Sequence, residues 1–139
     1  MANALYVAYR NGVLGSHATR VDLDADTIKA VLIDHGTDTP NITTDDFYND
    51  ISAGLVGSMS SAFTSKTVGT VAAGVFDADN VTFTAVSGNS VESVNILKDT
   101  GTASTSDLIA YFDTGTGLPV TPNGGDITVT WNASGIFTF

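Results

Sequence analysis

The chain has 139 residues, fifteen acidic side chains (fourteen of them Asp) against five Lys and Arg, a net charge of −10 and no cysteine. That length suits one domain with a core of its own. The acidity excludes a binder of nucleic-acid phosphates and disfavours an anionic membrane surface, while the missing cysteine removes disulfides, thiolate metal sites and thiol nucleophiles.

In chain order, the opening segment reads as a short helix: Asn3 is placed to cap it, Leu5, Ala8 and Tyr9 share a face, and Gly12 or Gly15 ends it. No basic region precedes a long apolar stretch there, so no secretory signal is expected, and no apolar run approaches the roughly 20 residues of a membrane span. Residues 20–26 alternate polar and apolar, which predicts a strand carrying Asp22, Asp24 and Asp26 on one solvated face. Residues 28–33 read as a buried strand and 35–44 as a loop. Thr44 then suits the cap of a second short helix running through Asp45, Asp46, Phe47 and Tyr48.

Strand signals follow at close spacing. They cover 68–76, interrupted by glycine, then 81–86 with Val81, Phe83 and Ala85 on one face, and 91–98 with Val94 and Ile96 opposite Val91, Ser93 and Asn95. A turn of hairpin length at 87–90 separates the last two. Residues 108–112 form a further strand, and 115–125 a surface loop. Ile127, Val129 and Trp131 point inward from a strand at 126–131, and a closing strand at 136–139 is expected to pair and to send its aromatic rings into the core or a subunit contact. Thr and Ser total 32 residues and good surface helix formers are scarce. The fold class is therefore mainly β: a single β-sandwich or jelly-roll-like domain over 1–139, with a short N-terminal helix and one further short helix.

Little in this inventory carries chemistry. Asp22, Asp24 and Asp26 open like a calcium loop, but loop positions six and twelve are Thr27 and Ile33 where an EF-hand needs Gly and an acid. His17 and His35 lack metal-ligand spacing, and Ser16 beside His17 is adjacency in sequence, not a triad. Both histidines read as exposed or loop residues. The aromatic residues Tyr6, Tyr9, Phe47, Tyr48, Trp131, Phe137 and Phe139 are better read as core than as a carbohydrate platform. No catalytic, cofactor-binding or metal-binding residue is expected, and neither is a small-molecule substrate.

The chain as a whole resembles small structural proteins of tailed bacteriophage virions. The residues that carry the likeness are MANALY at the start, DTIKAVLID at 26–34, GVFDADNVTFTAVSG at 74–88, KDTGT at 98–102, and above all LIAY at 108–111 and GLPVTPNGGDITVTW at 117–131. The likeness spans nearly the whole chain and is weakest over 35–66. It implies a virion component with no catalytic motif to transfer, first a capsid decoration or cement protein on the outer surface of the major capsid protein shell, made in many copies as a homo-oligomer. A tail, neck or fibre component is the alternative it leaves open, and a host-surface glycan-binding module is a third reading.

Overall fold

The computed structural model describes residues 3–15 and 21–139. Ser16, His17 and Arg20, and with them the start of the expected strand at 20–26, lie outside the described residues.

Among the described residues ten strands and one α-helix follow in chain order: β1 Ala4–Leu5, α1 Val7–Val13, β2 Ile28–Ile33, β3 Leu55–Val56, β4 Thr67–Val68, β5 Val75–Asp77, β6 Val81–Phe83, β7 Ser93–Lys98, β8 Leu108–Phe112, β9 Ile127–Val129 and β10 Phe137–Thr138. They form three antiparallel sheets, ordered β1-β8-β7-β2-β3, β10-β5-β4 and β6-β9. The chain is thus mainly β, as its composition implies.

The largest sheet is built on the three most apolar runs. β2 pairs with β7 from Ile28 opposite Lys98 to Ile33 opposite Ser93. β7 in turn pairs with β8, with a bulge at Ile109 that shifts the register between Ile96 and Leu97. Both faces of these strands are buried: Ala30, Val31, Leu32 and Ile33 are all enclosed, and so are Ile96, Leu97, Leu108 and Ile109. Such continuous apolar runs belong to a central strand, whereas an edge strand alternates. One face carries Val31, Asn95 and Tyr111 in a row, and the other carries Leu32, Val94 and Phe112.

Several local expectations are corrected. Leu5 is in β1, paired with Ala110, so α1 begins only at Val7. Asn3 does not cap that helix; its amide donates to the Thr114 carbonyl, and its Oδ1 accepts from the Asp113 and Thr114 N–H groups, fastening β1 beside β8. Residues 22–26 form a turn rather than a strand: Asp22 Oδ1 accepts from the N–H groups of Asp24 and Ala25, and Asp26 Oδ2 accepts from that of Asp22. Aspartates that bond their own backbone remove it from a ladder.

The second helix is a 3₁₀ turn at Tyr48–Asp50, followed by another at Ser52–Gly54, with a third at Ala103–Thr105. Asp45 and Asp46 do not start a helix. The Asp45 carboxylate closes a turn on the Asn41 N–H, and the Asp46 carbonyl accepts from Leu108 N–H, which holds the backbone extended alongside β8.

The stretch at 68–76 is two short strands joined by a turn, not one strand. The turn at 87–90 closes no hairpin, because β6 pairs with β9 and β7 with β2 and β8. Ala85 leaves the apolar face of β6: its φ is +50 and it is exposed, while its neighbour Val86 takes the buried place. At the far end, β10 does pair with β5, Phe137 opposite Phe76.

Candidate functional site

Two features stand out on opposite faces of the five-stranded sheet. The first is a buried polar ladder, built where β7 presents serine and asparagine among apolar neighbours. The Tyr6 hydroxyl donates to Asn95 Oδ1 at 2.7 Å, Asn95 Nδ2 donates to Ser93 Oγ at 3.0 Å, and Ser93 Oγ lies 2.9 Å from His35 Nε2. The His35 ring stacks on Tyr111 at 6.1 Å, and its backbone N–H donates to the Glu92 carboxylate at 2.8 Å. Burial pushes the Tyr6 phenol well above its ordinary range, with Asp45 and Tyr111 adding to the shift, so it remains a donor. Burial likewise raises Tyr111, helped by its hydrogen bond to Asp113.

A serine within hydrogen-bond reach of a histidine invites a nucleophile reading, and three observations oppose it. Ser93 and Asn95 are both 0% exposed, so no substrate carbonyl reaches the hydroxyl. The serine already accepts from an amide, and the Glu92 carboxylate is engaged by the His35 main chain instead of orienting its ring. The ladder satisfies buried polar groups in a core; it is not a catalytic centre. His35 is in the loop as expected, but half-buried and held.

The second feature is a groove of about 720 Å³ on the other face. Leu32, Val94 and Phe112 of the large sheet line one side and Ile127, Val129 and Trp131 the other, with the loop at 114–118 along the rim. No charged side chain among the described residues lines it, on a chain with twenty of them. Trp131 is fixed by its indole N–H, which donates to the Asp79 carbonyl, and its ring lies 6.0 Å from that of Phe112. Ile127, Val129 and Trp131 do face inward as the alternation predicts, yet they remain half-buried because the space before them is open.

Two acidic clusters are engaged structurally, at Asp34 and at Asp22 with Asp26. Buried Asp34 accepts from Gly36 N–H at 2.7 Å, the Thr37 hydroxyl at 2.7 Å and the Asn89 amide at 2.8 Å. The Thr37 bond foremost, then those of Asn89 and Gly36, hold its carboxyl below the ordinary carboxylate range. Asp26 meets Lys98 Nζ at 3.0 Å; burial opposes its ionisation, but the Asp22 N–H and that ammonium prevail and lower it. The carboxylates of Asp22 and Asp26 therefore serve a turn and an ion pair, and no group of three metal-ligating side chains occurs among the described residues.

Of the seven aromatic residues read as core, Tyr6, Tyr9 and Tyr48 are buried and Phe47, Trp131 and Phe137 are half-buried. Phe139 is the exception at 50% exposed. The ladder escaped sequence reasoning, since its members stand at positions 6, 35, 93 and 95 and only strand pairing assembles them. Its one sequence signal is polar Ser93 and Asn95 alternating with Val94 and Ile96 in a strand.

Among the described residues no helix is long and apolar enough to cross a membrane. No protein-family model matches the chain, and no curated protein matches it.

Proposed function

We propose that this chain is a structural component of a tailed-bacteriophage virion, in the first place a capsid decoration protein that binds the outside of the major capsid shell as a homo-oligomer and stabilises it. The single observation carrying this reading is the resemblance spread over nearly the whole chain and strongest at 108–111 and 117–131. Those two stretches supply β8, the rim of the groove and β9. On this reading the three sheets are the layers of a sandwich, with the uncharged groove between two of them. The geometry agrees with a passive role. Among the described residues the serine that meets His35 is sealed in the core, buried Asp34 is saturated with donors, and the carboxylates of Asp22 and Asp26 are tied into a turn. An acidic outer coat also suits a shell whose inner surface must carry the basic charge that meets DNA.

The test is stoichiometric. Purified particles are run against their major capsid protein, and the copy number of this chain is measured by quantitative mass spectrometry. A decoration protein is present in numbers comparable to the capsid subunit. A tail, neck or fibre component is present in a few to a few tens of copies, and absence from particles overturns the virion reading altogether.

One observation favours a second reading, a glycan-binding module. The groove combines an aromatic pair, Phe112 and Trp131, with a neutral rim of threonine and asparagine, which suits the apolar face and hydroxyls of a sugar. A glycan array, repeated with Trp131→Ala, tests it.

A further inference from the structure

We propose that the apolar face made by α1, the turn between β4 and β5, and β10, segments that carry no acidic side chain, binds a second copy of this chain. The inference deepens the homo-oligomeric part of the reading above and rests on it.

Five large apolar side chains are exposed among the described residues: Val13, Leu14, Val68, Val71 and Phe139. Scattered singly they would be ordinary; here they fall on α1, the β4–β5 turn and β10, which contacts both of the others. The Tyr9 ring meets Phe137 and Phe139 edge-on, each at 6.2 Å. Val13 stands one helical turn beyond Tyr9 on the same side of α1, and Leu14, 78% exposed, follows it. Phe139 N–H donates to the Gly74 carbonyl at 2.9 Å, which brings β10 against the turn that carries Val71, and Val68 precedes that turn in β4. An exposed apolar patch of this kind marks an interaction surface.

Charge selects the occupant. None of the fifteen acidic residues falls in 3–15, 66–76 or 127–139, the segments that build this face; their charged side chains are Arg10 in α1 and Lys66, whose ammonium donates to the Asp26 carbonyl. Two copies at −10 each repel wherever carboxylates meet, so a face free of them is the one on which they can approach. A basic partner would be drawn to the acid-bearing faces instead. An isologous contact sets the patch on itself and leaves the carboxylates of both copies outward.

The experiment is sedimentation velocity on the full chain over a range of concentrations and salt, with Leu14→Asp and Val71→Asp, and with Ser104→Asp in the connection between β7 and β8 as control. All three positions are exposed, and melting curves verify that each variant folds. The wild type and the control sediment as a multiple of 14.3 kDa, more firmly as salt rises, because screening weakens the repulsion between like copies. Each patch variant weakens self-association by roughly tenfold or more, since it brings carboxylates into an apolar contact. A wild type that stays monomeric at every concentration overturns the inference, and so do patch variants that assemble as the wild type does. The two readings fail separately: a monomer found in particles overturns this inference alone, whereas self-association through this face by a chain absent from particles upholds it and removes only the virion role.

Discussion

The Tyr6 hydroxyl and Asn95 Oδ1 meet at 2.7 Å across 89 residues of sequence, inside a core where neither residue is exposed. The bond ties the entry to α1 onto the middle strand of the large sheet, and Tyr6 N–H adds a second tie to the Ile109 carbonyl at the β8 bulge. Replacing Tyr6 with Phe keeps the ring and strands the amide oxygen. We expect a loss of about 1–3 kcal/mol, the cost of a buried unsatisfied polar group, read from the urea midpoint. An unchanged midpoint would show that the ladder contributes nothing to the fold.

Stability is expected to form a plateau in pH with two distinct edges. The carboxyls of Asp26, Asp34 and Asp99 are held below the ordinary 3.8, so their contribution is full above that value and is lost as pH falls through their lowered folded-state values. Asp38 acts the other way: burial, then the charges of Asp45 and Asp50, raise it, so protonation relieves it and softens the acid edge. On the alkaline side, burial raises Tyr6, Tyr48 and Tyr111 above the ordinary 10.0 and Tyr9 to about 12. Their contribution is full below 10.0 and is lost as pH rises through the folded-state values. Melting temperature measured from pH 2 to 12 maps both edges; a steady decline across neutral pH would contradict this assignment.

Chelation is expected to leave the melting temperature unchanged. The Asp22 and Asp26 carboxylates already accept main-chain N–H groups, and Lys98 meets Asp26. Calorimetry with and without EDTA measures this directly. A fall of several degrees would mean that those aspartates hold a cation.

Truncation after Ser134 is expected to give insoluble or unassembled protein. It removes buried Ile136, whose N–H donates to the Phe76 carbonyl, and Phe137, whose ring lies 5.4 Å from that of Phe76. Losing a buried isoleucine costs about 2–5 kcal/mol, and half-buried Phe137 adds to it, against a total of ~5–15 kcal/mol for a domain. Recovery of a soluble truncated chain with a near-normal melting curve would make β10 dispensable.

Gly135→Ala tests the same corner by a single atom. Gly135 has φ +104, and a Cβ there would lie 2.2 Å from Val75 Cγ1. Overpacking of this kind costs roughly 1–3 kcal/mol, with backbone strain added. Denaturant unfolding reads the difference, and a variant as stable as wild type would show that the turn before β10 relaxes freely.

The sequence by itself determined the central strands. Runs such as Ile28–Ile33 and Leu108–Phe112 are apolar enough to demand burial on both faces, and their bounds match the structure. It determined the mainly β class too, through abundant Thr and Gly and scarce helix formers. Where side chains compete locally with the ladder, periodicity misled. The alternation at 20–26 resembles a strand, yet the side chains of Asp22 and Asp26, bonding backbone two to four residues away, make 22–26 a turn. Partnership was decided only in three dimensions. Nothing in 81–86 reveals that β6 joins β9 some 45 residues on and not β7 next door, because hydrogen-bonding edges are alike and burial of the other faces selects between them. The same holds for the ladder and for the exposed apolar face. Ser93 is polar in sequence and sealed in the fold, whereas Phe139 is apolar in sequence and half open, since exposure belongs to what the chain packs against each residue and not to the residue itself.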